Sequence, residues 1–344
     1  PLQKTLKSVA VIGPNADEQK ELICRYGPSN APIKTVYKGI KEALPRAKVV
    51  YKKGCEIVDP HFPESEVLPF DITPKEQQMM DEAIEAAKSA EVVIMVLGGS
   101  EVTVREERSR TSLDLPGRQE ELLKAVCKLG KPTILVMIDG RASSINYAKK
   151  YVPAILHAWF PGEFCGQAVA ETIFGDNNPG GRLAVTFPKS VGQIPFAFPF
   201  KPGSDSGCGT SVTGALFPFG HGLSYTTFEY SNLRISPEQQ GVLGEVKVSC
   251  TVKNTGKRIG DEVVQLYLRD EISSVTTYVK ILRGFERITL QPNEEKEVTF
   301  TLSPQDLAIW DKNMKFQVEP GTFKVMIGAS SKDIKLEGKF TINK

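Results

Sequence analysis

The chain has 344 residues, 40% hydrophobic and 24% charged, and its 43 basic and 41 acidic side chains leave a formal net charge of +2. With no basic stripe, that balance argues against a nucleic-acid partner, and no apolar stretch reaches the about 18 residues of a membrane-spanning helix. At about 100–200 residues per domain, two or three domains are expected.

The first ~200 residues alternate strand and helix patterns. "KSVAVIG" (7–13) is a short β-branched strand ended by the turn signal Gly13-Pro14-Asn15. "TVYKGIKEAL" has helical spacing and "AKVVYK" reads as the next strand. "TPKEQQMMDEAIEAAKSA" opens with Thr73 as N-cap, Pro74 at the first helical position and Glu76 three residues after the cap, a capping box. Met80, Ala83, Ile84 and Ala87 give this helix its apolar face. Then come the strand "EVVIMVLGG", a helix from about Pro116 to Gly130, and the strands "PTILVMID" and "VPAILHAWF". The helix "EFCGQAVAETIFG" stops at Gly175, and "GRLAVTFP" is predicted to close the series as a sixth strand. Strands apolar on both faces with helices between them predict a mostly parallel sheet covered on two sides, an α/β sandwich.

"KPGSDSGCGTSVTG" (201–214), rich in Gly and Ser, reads as a linker. From 225 the period becomes two: "EVKVSCTV", "DEVVQLYLRD", "KEVTFTL" and "GTFKVMIG" alternate apolar and polar residues. This predicts an antiparallel β-sandwich of immunoglobulin or fibronectin type. The expected organisation is an α/β domain over 1–200, a joint over 201–224 and a β-sandwich over 225–344.

Of the six cysteines none forms a CxxC pair, and no Cys/His cluster has zinc-ligand spacing. Cys127, Cys165 and Cys250 fall in regular patterns and read as small buried apolar residues. Cys24 and Cys55 lie in loop-like stretches and are the one pair to consider for a bridge in an oxidising compartment. No secretory leader is present; because the sequence opens on Pro1 rather than Met, this says nothing about export.

The densest charge is in "REERSRTSLDLPGRQEEL" (105–122), which follows an apolar strand. Open parallel sheets bind ligands beyond the carboxyl ends of their strands, so this position favours function for Glu101, Arg105, Glu106, Glu107, Arg108 and Arg110. A solvated loop whose charges pair among themselves is the competing account. "VIGPNADEQK" lacks both GxGxxG and a GK[ST] phosphate loop, and no GxSxG elbow accompanies the three histidines. A carboxylic acid held near arginines suits general acid/base work better. Elsewhere, His157 reads as a core or interdomain histidine, Trp159 and Phe160 as packing at a strand end, Asp139-Gly140-Arg141 as a turn, and Trp310 as surface or inter-sheet packing.

"SVAVIGPNAD", "RTSLDLPGRQEEL", "FPGEFCGQAVAETIFGDNNPGGRLAVTFP" and "FPFGHGLSYTTFEY" together resemble the C-terminal part of family 3 glycoside hydrolases, the group of β-glucosidases and β-xylosidases. The likeness runs in order through essentially the whole chain. It implies a six-stranded α/β sandwich domain and a fibronectin type III-like domain, with an N-terminal (β/α)8 barrel for which this chain has no candidate; such a barrel needs about 250 residues. It also implies a two-carboxylate mechanism. The nucleophilic Asp belongs to the barrel, and the general acid/base is a Glu in a loop resembling Glu-x-Glu-Gly-x-Asp-Arg. Aligned on Arg110 and "LDLPG", the second Glu falls on Glu106, the first on Val104, the Gly on Glu107 and the Asp on Ser109. Glu106 is thus the expected acid/base, with Glu107 its rival if the loop shifts by one. Arg108, Arg110 and Glu101 are candidate substrate contacts. The resemblance further implies exo-acting, retaining hydrolysis of terminal β-linked sugars. β-Glucosidase activity is expected first and β-xylosidase next, without metal or organic cofactor, in a periplasmic or extracellular protein. The chain alone is expected to be inactive. The alternative is a non-catalytic carbohydrate-binding or scaffold fragment.

Overall fold

The computed structural model describes residues 1–23, 26–27, 30–204 and 211–344. By compactness the chain forms two units, Pro1–Asn177 with Pro188–Val191, and Asn178–Phe187 with Gly192–Lys344.

In the first unit the order is β1 (Ser8–Ile12), α1 (Lys20–Ile23), α2 (Val36–Ala43), β2 (Lys48–Lys52), α3 (Pro74–Lys88), β3 (Val92–Gly98), α4 (Gln119–Cys127), β4 (Thr133–Ile138), α5 (Asn146–Tyr151), β5 (Ala154–His157) and α6 (Cys165–Phe174). The helix starts follow from their caps. Thr35 accepts from the Lys38 amide, and Thr73 and Glu76 form the expected capping box on α3. Gly175 adopts the left-handed conformation that ends α6. The strands pair in parallel in the order β2-β1-β3-β4-β5, that of flavodoxin-like doubly wound sheets. Successive residues face opposite sides. Val9, Val11, Ile94 and Val96 build one core with Ile40 of α2 and Val169 of α6. Ala10, Ile12, Val93 and Met95 are equally buried, and α3 and α4 contact β1, β2 and β3.

The sheet has five strands rather than six. The run 181–188 spends its backbone elsewhere. The Leu183 amide donates to the His221 carbonyl, the Gly220 amide to the Leu183 carbonyl, and Phe187 forms an isolated antiparallel bridge with Phe217. With Leu183 and Phe187 paired to 217–221, the run is engaged there and does not extend the sheet beyond β5.

The second unit contains β6 (Phe228–Ser236), β7 (Gln239–Gly241), β8 (Val246–Asn254), β9 (Gly260–Asp270), β10 (Ile281–Leu290), β11 (Glu295–Leu302), β12 (Ile309–Trp310), β13 (Phe316–Gln317), β14 (Gly321–Gly328) and β15 (Ile334–Asn343). One sheet runs β10-β9-β14-β15-β7, the other β11-β8-β6, with β12-β13 a separate hairpin. Val246, Val248, Cys250 and Val252 pack with Leu266, Leu268, Val325 and Phe340 in a single core, as period-two alternation requires. One pair departs from the expected antiparallel pattern, since β7 joins β15 in parallel. The cause is a change of sheet: β6 belongs to the three-stranded sheet, and after Pro237, which has no amide to donate, the chain enters the other. Residues 178–187 are held here by Arg182, whose guanidinium forms a buried ion pair with Glu262.

Candidate active-site loop

In the order β2-β1-β3, successive connections leave β1 and β3 in opposite directions. The crevice beyond the carboxyl ends of these two strands is where such sheets bind ligands. Gly13 and Gly98 turn the chain out at this point with φ of 136° and 145°. A Cβ at either would lie 2.0 Å from a neighbouring strand's carbonyl oxygen, so only glycine fits.

The charged loop between β3 and α4 is closed at its base by Gln119. This buried side chain accepts from the Gly98 amide at 2.8 Å and donates to the Gly98 carbonyl at 2.8 Å. Two arginines brace the rest. Arg110, expected as a substrate contact, places its Nε against Glu66 in an ion pair whose side chains are only 4% and 7% exposed. Its Nη1 donates to the Asp114 carbonyl at 3.0 Å, and Glu66 also accepts from the Thr111 amide and hydroxyl. Arg141, at the end of β4, donates from Nε and Nη2 to the Thr103 carbonyl at 3.2 and 3.1 Å and from Nη2 to the Arg108 carbonyl. It therefore grips the loop on both sides of Glu106. The neighbouring Asp139 is buried, accepts from Ser143 Oγ at 2.5 Å, and has its carboxyl pushed up by burial.

Glu106, Glu107 and Arg108 are exposed at the loop tip. Glu107 adopts φ 61°, the left-handed region that favours glycine. Glu101 is half-buried and pairs with Lys20 at 3.1 Å. Glu106 meets Tyr26, whose hydroxyl lies 3.3 Å from Oε2. Tyr26, in the chain after β1, thus meets the loop after β3. A cluster of acids and arginines was legible in the sequence. The bracing roles of Arg141, Glu66, Gln119 and Tyr26 were not, because they lie 21 to 80 residues from their partners. The only advance sign was that Arg141 directly follows a strand on the ligand side.

Outside the loop, His157 is largely buried, with its ring 4.3 Å from that of Trp159, and burial lowers its pKa to about 4. Phe160 packs on the first core. Trp310 is on the surface, 59% exposed, beside Phe316. Cys55, Cys165 and Cys250 are buried free thiols; Cys24, the partner considered for Cys55, lies outside the described residues. Among the described residues no helix is long and apolar enough to cross a membrane.

The doubly wound α/β unit and the fibronectin-like sandwich define the class of molecule. Comparison with known proteins gives its family. Residues 1–225 match the Glycosyl hydrolase family 3 C-terminal domain, and residues 262–331 match the Fibronectin type III-like domain. The chain belongs to glycoside hydrolase family 3. It is 44% identical over 338 residues to a β-xylosidase of Formosa agariphila, covering 95% of this chain and 45% of that protein. It is 39% identical to the periplasmic β-glucosidase of Salmonella typhimurium, covering 99% of this chain and 47% of that protein. A β-glucosidase of Erythrobacter marinus has a similar structure, with a TM-score of 0.90 and 35% identity over 100% of this chain and 47% of that one. The chain spans about half the length of these relatives.

Proposed function

We propose that this chain supplies the acid/base loop of an exo-acting, retaining β-glycosidase that releases terminal β-linked glucose or xylose, with Glu106 as the proton donor. The observation that carries the assignment is the backbone of Glu107. The register that puts the family's acid/base Glu on 106 puts its Gly on 107, and 107 holds the φ of 61° that a glycine would adopt freely. A shift by one would assign the acid to a strained position instead.

Glu106 donates its proton to the glycosidic oxygen as the bond to the anomeric carbon breaks. A nucleophilic aspartate, expected on a barrel outside this chain, forms the glycosyl ester. Water then attacks the anomeric carbon, the ester bond breaks and frees the aspartate, and Glu106 takes the water's proton. Arg108, exposed at the tip, is placed to meet sugar hydroxyls, whereas Arg110 serves the loop through Glu66. The higher identity to the Formosa β-xylosidase supports a xyloside as the second reading of the substrate. The proposed location of the intact protein is the periplasm or the exterior.

Aryl β-glucoside and aryl β-xyloside assays on this chain and on the intact protein test this. The expected results are no turnover by the chain alone and, in the intact protein, a loss of about 10²–10⁴-fold in Glu106→Ala that azide partly restores with an activated leaving group. Turnover by the isolated chain, or an undiminished Glu106→Ala enzyme, refutes the assignment.

A further inference from the structure

We propose that Tyr26 is a positioning residue for Glu106, holding its carboxylate in one orientation across the crevice between β1 and β3. This rests on Glu106 being the proton donor. The single phenolic hydroxyl touches Glu106 twice, donating to Oε2 at 3.3 Å and accepting from the Glu106 amide at 3.5 Å. Both separations are long for hydrogen bonds, so each is weak alone. Together they tie the far end of the side chain and its backbone root to one point. A glutamate side chain otherwise samples many rotamers, so a two-point tether restricts where its carboxyl can aim.

Three features of the site fit this role. Among the described residues, no other side chain hydrogen-bonds the Glu106 carboxylate. The chain between β1 and the start of α1, which precedes Tyr26, is moored to the loop bearing Glu106. Asn15 Nδ2 donates to the Gly99 carbonyl at 2.9 Å in a buried bond, and Lys20 pairs with Glu101 at 3.1 Å. Finally, tyrosine is the residue type the geometry asks for. A hydroxyl both donates and accepts, whereas lysine and arginine only donate and would add a charge beside the acid. Tyr26 remains 64% exposed, so it orients the carboxyl without closing the crevice.

A carboxyl that must protonate the departing oxygen needs correct aim only when that oxygen is a poor leaving group. The test uses the intact protein with Tyr26→Phe and a series of aryl β-glycosides from 2,4-dinitrophenyl to 4-methylphenyl. The expected kcat/KM is unchanged for the dinitrophenyl substrate and falls about 10- to 100-fold for the methylphenyl substrate, with the melting temperature unaltered. An equal loss across the series, or no loss, overturns the role of Tyr26. Glu106→Gln is measured in parallel. If it steepens the same dependence and azide rescues it, the acid/base assignment stands whatever Tyr26 does. If Glu106→Gln leaves the dependence flat, that assignment fails, and the role of Tyr26 fails with it.

Discussion

Arg110 and Glu66 are 44 residues apart and meet in a buried ion pair, while Glu106, four positions before Arg110, stands in solvent. Neighbouring charges in one loop therefore divide into braces and a presented acid. A buried pair is costly to break because the survivor is left uncompensated, so the paired charges act as anchors, while the exposed Glu106 is held by the weaker contacts of Tyr26. The sequence showed the charges and, through the family's loop pattern, made Glu106 the candidate acid with Glu107 as its rival. It could not separate anchor from acid, because that depends on where Glu66 arrives. His157 makes a different prediction at this scale. Its folded pKa of about 4 lies below the ordinary 6.5 because burial penalises the charged ring. As pH falls below 6.5 the unfolded chain takes the proton first, so the stabilisation present above 6.5 is lost progressively down to about pH 4, by about 3 kcal/mol at most. Urea midpoints at pH 7 and pH 4.5 should differ more for the native chain than for His157→Asn. Equal differences would show that the histidine does not titrate as its burial requires.

Among the elements, α2 and α6 cross where Gly39 meets Gly166. A Cβ at Gly39 would lie 2.0 Å from the Gly166 carbonyl oxygen, and one at Gly166 would lie 2.1 Å from that of Thr35. Alanine at 39 would favour the helix by up to about 1 kcal/mol. The backbone clash should outweigh this, since overpacking costs about 1–3 kcal/mol and the obstructing atom is not a flexible side chain. Gly39→Ala should lower the denaturation midpoint; an unchanged or raised midpoint would mean that the helices can part freely. The helices themselves were legible from caps and spacing, as the Thr73 box shows. The contact between these two glycines was not, since helical periodicity says which face is apolar and not which neighbour it meets. The missing sixth strand has the same cause: 181–188 has a strand-like composition, but Leu183 and Phe187 pair with 216–221 instead.

For the whole molecule, packing draws its division at 177/178, and residues 178–187 bring Arg182 to Glu262 and Asn178 to the Ile259 carbonyl and the Tyr225 amide. The fibronectin-like unit should therefore depend on chain that precedes its first strand by about 50 residues. A fragment of residues 178–344 is expected to unfold at higher denaturant than one of residues 225–344, which lacks the partner of Glu262. Equal midpoints would show that the preceding segment adds nothing to the sandwich.

The sequence alone determined what is local or periodic: the helix caps, the two-sided strands, the change to period two after 225, and the charged loop pattern in which Glu106 and Glu107 are the candidate acids. Those signals survive because they are written in residues within a turn or a strand of one another. Only the tertiary structure decided that the sheet closes at five strands, that Arg110 braces rather than reaches out, and that Tyr26 and Arg141 converge on the acid's loop from β1 and β4. Those outcomes depend on which distant polar group arrives first to satisfy a buried or unpaired partner, and a linear order of residues does not encode that competition directly.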